Sequence, residues 1–381
     1  MVALREFEVA ARLRGIEKSL IRQVFDRARP ASINLGLGEP DLPTPDVVRR
    51  EAVRVIQDEQ NGYTMHAGLP LLRERIAADY PYLEANRERI VVTAGSQEAL
   101  YLALLTLVDE GDEVLLPNPG FVAYPTIVRM AGGVPVFYRM PSAGDFAFDA
   151  DEFRRRVSSR TKAVVVISPS NPTGQTLSPQ DLRAIADALE STGAHVISDE
   201  IYRELYYTPQ RPASISDYYA RTVVVSGLSK SMSMTGWRVG WLCGDEAVVR
   251  GALVLHGYVT TCASTVSQKA ALAAWTEEAE AAREQFRETF RRRRDYLISL
   301  VERELGLRAV VPEGAFYAMV EIGFGVASMK VAEAMLDAGV ITVPGAAFGD
   351  EGEGFLRLSF CADEERLAEG VARMKRALQT L

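Results

Sequence analysis

The run Lys162-Ala-Val-Val-Val-Ile-Ser-Pro-Ser-Asn-Pro-Thr-Gly174 decides how this chain of 381 residues is read. Its first seven residues carry one charge, at the start, and no alternation of apolar and polar side chains. A strand with one solvated face alternates, whereas a strand covered by helices on both faces does not. Two prolines and a glycine then fix a rigid loop. Ser178-Pro-Gln-Asp181 opens a helix, with Ser178 as N-cap, Pro179 at the first helical position and Asp181 at the third, and Gly193 closes it. The same rhythm runs on either side. Strands are predicted at 89–93, 113–116, 194–198 and 222–226, and a helix at 97–108 after the turn Ala94-Gly-Ser96. Strands alternating with helices predict an α/β fold with a mainly parallel central sheet covered by helices.

Beyond Glu277 the texture changes. One long, heavily charged helical pattern extends to about Glu304 and contains Arg291-Arg-Arg-Arg294. The glutamates around it make a solvated helix face the better reading than a nucleic-acid patch. A strand at 315–320, a helix at 329–338, a strand at 354–360 and a final helix follow. In that last helix Leu367, Val371, Met374 and Leu378 share one apolar face. This tail reads as a second, smaller α+β domain.

Composition narrows the function. Lysine and arginine total 43, aspartate and glutamate 51, and the net charge is −8. Binding nucleic-acid phosphates or an anionic membrane surface needs clustered positive charge, so neither is the expected business of this chain. An apolar fraction of 48% is too high for a disordered protein. Cys243, Cys262 and Cys361 are an odd, scattered trio, neither a disulfide framework nor a zinc site, and His66, His195 and His256 are equally dispersed, so no metal is expected. The first eight residues carry acidic groups and no apolar core of a leader peptide. The stretch 99–108 is far too short to span a membrane. The cytoplasm is the expected location.

Four features fall on loops after strands, where ligands of open α/β sheets gather. The first is the rigid loop around Asn171. The second is Ser198-Asp-Glu-Ile-Tyr202: Asp199 ends a buried strand, where a carboxylate needs a partner or loses its charge, and Tyr202 follows about one helical turn later. The third is Ser226-Gly-Leu-Ser-Lys230 with Gly236-Trp-Arg238. A lysine just past a buried strand is a candidate desolvated amine, nucleophilic toward carbonyls, while Ser229 and Arg238 supply a hydroxyl and a guanidinium suited to phosphate. The fourth is Gly95-Ser96-Gln97 at a helix start, where free amides and the helix dipole favour an anion. Each alone also fits a structural loop, cap or surface residue.

Taken together, Asn171, Asp199, Tyr202, Lys230 and Arg238 occur with gaps of 28, 3, 28 and 8 residues. With Ser170-Asn-Pro-Thr-Gly174, Ser198-Asp-Glu-Ile-Tyr202 and Ser229-Lys230, the chain resembles the class I/II aminotransferases, fold-type I enzymes dependent on pyridoxal 5′-phosphate (PLP). The resemblance runs from Leu35-Gly-Leu-Gly-Glu-Pro-Asp41 to Arg357-Leu-Ser-Phe360. It implies transfer of an amino group between an L-amino acid and a 2-oxo acid. It implies that Lys230 holds the cofactor aldehyde and then serves as general base at the substrate α-carbon, that Asp199 pairs with the pyridine nitrogen, and that Tyr202 and Asn171 bond the phenolic oxygen. It further implies that Phe121, in Asn118-Pro-Gly-Phe121, stacks on the ring, and that Gly95, Ser96, Gln97, Ser229 and Arg238 cradle the phosphate. Arg357, with Gly38 and Asn171 in support, would clamp the substrate carboxylate. Tyr63, in Gly62-Tyr-Thr-Met-His-Ala-Gly68, would reach the phosphate of a neighbouring subunit, which implies a homodimer. The resemblance also divides the chain into a large cofactor-binding domain, 46–280, and a small domain formed by 1–45 and 281–381.

The lysine loop often carries another serine three residues before the lysine in this family; here that position is Gly227. His66 is a candidate for the substrate pocket, and Met232 and Met234 are candidates for packing or cofactor contact. No extra cation for a second substrate carboxylate is recognisable, which favours neutral or aromatic amino acids. Another PLP reaction on the same scaffold, such as elimination at a C–S bond, remains the alternative, because scaffold does not decide reaction. A PLP-sensing regulator is disfavoured: the family pattern begins by about Ile33, leaving no expected room for a DNA-binding domain.

Overall fold

The structure, a computed structural model, describes residues 10, 16, 18, 20–323 and 325–381. The residues from which the missing leader was read, 1–8, lie outside them. The chain enters through α1 (Leu20–Asp26), β1 (Ile33–Asn34), α2 (Asp46–Asp58) and α3 (Pro70–Ala78). The α/β succession follows: β2 (Ile90–Thr93), α4 (Ser96–Leu107), β3 (Glu113–Asn118), α5 (Ala123–Met130), β4 (Val134–Arg139), α6 (Ala150–Arg156), β5 (Thr161–Ile167), α7 (Pro179–Leu189), β6 (His195–Asp199) and β7 (Thr222–Gly227). Next come β8 (Gly240–Cys243), α8 (Glu246–Val259), α9 (Thr265–Ala271) and α10 (Glu277–Leu300). The tail holds β9 (Ala309–Val310), β10 (Tyr317–Glu321), α11 (Ser328–Asp337), β11 (Val340–Ile341), β12 (Val343–Pro344), β13 (Phe355–Ser359) and α12 (Glu364–Leu378).

Seven strands form the central sheet in the order β2-β8-β7-β6-β5-β3-β4. The strand read first, β5, lies inside it between β6 and β3. Ala163, Val164 and Val165 are fully buried, as a strand covered on both faces requires. Each such valine contributes roughly 2 kcal/mol of transfer free energy. The predicted cap of α7 forms as a reciprocal pair: Ser178 accepts from the Asp181 N–H, and Asp181 accepts from the Ser178 N–H. The sheet departs from pure parallel order at one strand. β8 runs antiparallel to both β2 and β7, with Gly240 opposite both Thr93 and Gly227. Its start therefore lies at the edge where the parallel strands end. That short strand, and β4, were not foreseen from the sequence.

The tail forms its own antiparallel sheet, β12-β13-β10-β9, and β1 pairs in parallel with β11. β1 is thus tied to the last quarter of the chain, and Ser359 N–H donates to Leu35 O at 2.7 Å. These bonds carry the Gly36–Gly38 segment to the central sheet's ligand edge.

The arginine run of α10 corrects one expectation. Arg291 and Arg292 are solvated and paired with Glu288 and Glu364. Arg293 and Arg294 turn inward instead. Arg293 meets Asp41 at 2.7 Å, and Arg294 donates to Pro312 O and lies over the Tyr207 ring. Successive residues of an α-helix project about 100° apart around its axis, so neighbours in one charged run divide between solvent and interior. Among the described residues no helix is long and apolar enough to cross a membrane.

Candidate active site

Five strand ends supply the site. β2 leads into the turn Gly95-Ser96, β3 into Phe121, β5 into Asn171, β6 ends on Asp199 before Tyr202, and β7 leads to Ser229 and Lys230. Arg238 reaches the same edge only because β8 runs the other way. Its Nη2 donates to Ala94 O at 3.1 Å and its Nη1 to Thr235 O at 2.9 Å. Together these elements enclose a cavity of about 320 Å³. Ser96, Gln97, Phe121, Asn171, Asp199, Tyr202, Ser229, Lys230, Arg238, Gly38 and Arg357 all line it. Of the residues to which the resemblance assigns a cofactor or substrate role, Gly95 and Tyr63 do not.

Gly95 lies directly behind the lining. Its φ is +92°, and a Cβ there would fall 2.4 Å from Arg238 Nη2. Gly240 is equally constrained: a Cβ would sit 2.4 Å from Ser96 N. The absence of side chains at both positions keeps an arginine and a helix N-terminus close around one space, which suits a phosphate. Gly227, where the family often has serine, has an explanation as well. A Cβ on it would meet Val239 O at 2.8 Å and Gly240 Cα at 3.0 Å, so the adjoining strand occupies that room.

Lys230 Nζ donates to Gly38 O at 2.7 Å. Burial pushes its ammonium below the ordinary lysine range, with a smaller opposing influence from Cys361 and Glu39. Asp199 is 7% exposed. Tyr124 OH donates to its Oδ2 at 2.9 Å and Ile201 N–H to its Oδ1 at 3.2 Å. Desolvation pushes its carboxyl up to about 6 despite these bonds. Arg357 is 3% exposed; it donates to Asn171 Oδ1 at 2.7 Å and Gly36 O at 2.5 Å, and its Nε has no partner among the described residues. Burial also lowers this guanidinium's pKa. The hydrogen bonds of all three groups go to neutral partners. Each is an ionisable group held out of water: the carboxyl and the guanidinium are better satisfied by a ligand of opposite charge, and the amine, shifted toward its neutral form, is a nucleophile.

Tyr202 OH lies 2.9 Å from Tyr317 OH. Tyr317 also supports Arg357, whose guanidinium carbon stands 4.1 Å above its ring. It crowds Gly38 so closely that a Cβ there would fall 1.8 Å from its hydroxyl. Tyr317 and Tyr124 were missed by sequence reasoning. Tyr124 follows Phe121 by three residues, the spacing of one helix face, and the phenol of Tyr317 lies in a buried strand where it needs a partner. Those signals were present but named no partner.

The remaining expectations divide. Tyr63 is 88% exposed and outside the cavity. His66 is exposed and outside it too, with Nδ1 3.3 Å from where a Gly257 Cβ would stand. Met232 and Met234 are fully buried in the core beneath the lysine loop, so packing is their role.

The donor set fits PLP on chemical grounds. A desolvated amine suits its aldehyde, a buried carboxylate its cationic ring nitrogen, and a side-chain-free turn with an arginine its phosphate.

Comparisons with known proteins agree with this chemistry. The family described as "Aminotransferase class I and II" matches residues 30–374. An aspartate aminotransferase of Pyrococcus horikoshii is 33% identical over 384 residues, covering 98% of each chain. An aromatic-amino-acid aminotransferase of Thermococcus litoralis is 34% identical, covering 97% of each. A solved structure of a Thermus thermophilus aspartate aminotransferase single mutant superimposes with a TM-score of 0.92 at 34% identity, over 98% of this chain and all of that one.

Proposed function

Because the chain belongs to the class I and II aminotransferases, enzymes that use PLP, we propose that it moves the amino group of a neutral or aromatic L-amino acid to a 2-oxo acid. The observation that carries this reading is the convergence of Lys230, Asp199 and Arg357 on one cavity, each hydrogen-bonded, among the described residues, to neutral groups alone. When bound, PLP supplies an electron sink for the pair of electrons left at the substrate α-carbon.

In this proposal the residues divide the work. Arg357 binds the substrate carboxylate through its planar fork, with Asn171 and the Gly38 backbone holding the same end. Lys230 would hold the cofactor's aldehyde carbon until substrate arrives. Its lowered pKa would then let Nζ take the α-proton and return it, as general acid, at the cofactor carbon that carried the aldehyde. Asp199 would keep the ring nitrogen protonated, with Tyr124 holding the carboxylate oriented. Tyr202 and Asn171 would bond the ring oxygen, and Phe121 would cover the ring face. Gly95, Ser96, Gln97, Ser229 and Arg238 would receive the phosphate.

The substrate side chain is assigned from the walls. Ile21, Leu37 and Leu100 are apolar, and among the described residues the cations of the lining, Lys230, Arg238 and Arg357, already have roles. The homodimer with Tyr63 crossing to a neighbour belongs to the same proposal. Tyr63 and Tyr258, 88% and 91% exposed, are large aromatics better covered than solvated. The division at 46–280 against 1–45 with 281–381 is supported by the separate sheets, and the cytoplasm is the proposed location.

A panel of amino-acid donors added to the holoenzyme, read by the cofactor's absorption change, tests the reading. Phenylalanine or leucine should drive the change with formation of the matching 2-oxo acid. A preference for aspartate would overturn the side-chain assignment. Pyruvate with ammonia and no second amino-acid product would replace transfer by elimination.

A further inference from the structure

Helix α4 begins without the usual side-chain cap. Its N-cap is Gly95, and among the described residues no side chain bonds the amides of its first turn. A serine or aspartate in that place would consume amides that an anion needs. The third residue of the helix, Glu98, instead bypasses them. Its Oε2 accepts the Ala94 N–H at 2.5 Å, one residue before the cap. Its Oε1 accepts from Thr260 Oγ1 at 2.6 Å and meets His256 Nδ1 at 2.9 Å. Both partners come from the end of α8, outside the cavity, and His256 is fully buried. Burial raises the Glu98 carboxyl pKa, but the bonds from His256, Thr260 and Ala94 together hold it below its ordinary range.

Ala94 is therefore gripped at both ends: Glu98 takes its N–H, and Arg238 donates to its carbonyl. A change of the backbone angles at Ala94 would move the arginine's anchor relative to the Gly95–Gln97 turn. We infer that Glu98, held by His256 and Thr260, is a positioning residue that sets the phosphate-binding turn while leaving the Ser96 and Gln97 amides to a ligand. This rests on the assignment of PLP phosphate to that turn. Glu98 does not line the cavity, so it acts through Ala94 and not on the ligand.

The test compares PLP with pyridoxal, which has the same ring and aldehyde but no phosphate. Apoprotein of wild type, Glu98→Ala, Glu98→Gln and Thr260→Val is titrated with each, and binding is read by absorbance. Glu98→Ala should weaken PLP about tenfold and pyridoxal by less than about threefold. Glu98→Gln, which keeps an acceptor for Ala94 N–H, should recover part of the loss. Equal weakening of both ligands would mark Glu98 as merely structural and overturn the inference, as would an undiminished preference for PLP. If Glu98→Ala fails to fold, Thr260→Val and Glu98→Gln carry the same comparison, with a smaller selective loss expected. Wild-type protein that itself fails to prefer PLP would instead remove the phosphate assignment on which the inference stands.

Discussion

Replacing Asp199 by asparagine in the apoprotein should reverse the usual expectation that removing a charged active-site group costs stability. The buried carboxyl has a pKa of about 6 in the folded chain against 3.8 for the free group. Between those values the folded state retains a proton that the unfolded state has released, so stability falls as pH rises through this window. The gap of about 2 pH units amounts to about 3 kcal/mol at pH 7.5 and roughly half of that at pH 5. Asparagine cannot ionise and escapes the penalty. It loses some of the bonding from Tyr124 and Ile201, about 1 kcal/mol, equally at both pH values. The asparagine variant should therefore be favoured over wild type by roughly 1–2 kcal/mol more at pH 7.5 than at pH 5. Urea unfolding of both apoproteins at the two pH values measures this. PLP should then stabilise wild type more than the variant at pH 7.5, since its cationic ring answers the carboxylate. A stability difference independent of pH would refute the reasoning, because it would mean the carboxylate is not penalised by burial.

Three further substitutions follow from the same geometry. Lys230→Ala should leave a folded protein that binds PLP without a covalent link and turns over at least about a hundredfold more slowly, as stopped-flow half-reactions would report. Arg357→Lys keeps the charge but loses the fork. It should lower kcat/KM by about a hundredfold, mainly through KM, in steady-state assays. Gly240→Ala places a methyl 2.4 Å from Ser96 N. Because the obstacle is backbone, equilibrium dialysis should show PLP retention weakened by about tenfold or more.

The sequence was most legible where one side chain's chemistry is forced by its local setting. Asp199 at the end of a buried strand, Lys230 just past another, and the side-chain-free turn at Gly95 each announce an unusual environment. The motifs then converge because parallel strands deliver their ends to one edge. Less legible were groups whose importance depends on a partner far along the chain. Tyr124 matters because it reaches Asp199, Tyr317 because it meets Tyr202 and Arg357, and Glu98 because His256 and Thr260 arrive from α8. The arginine run at 291–294 shows the same limit, since spacing alone did not separate its solvated half from its buried half.

The sequence by itself determined the α/β alternation, the capping of α7 and the residue types of the site, because strand burial, caps and turn chemistry act over a few residues. Tertiary structure alone decided which way β8 runs, and so that Arg238 returns beside Gly95. It also decided that β1 pairs with β11, which brings Gly38 over Lys230. Pairing of distant segments is fixed by packing and backbone hydrogen bonds between them, and a local pattern carries no record of its partner.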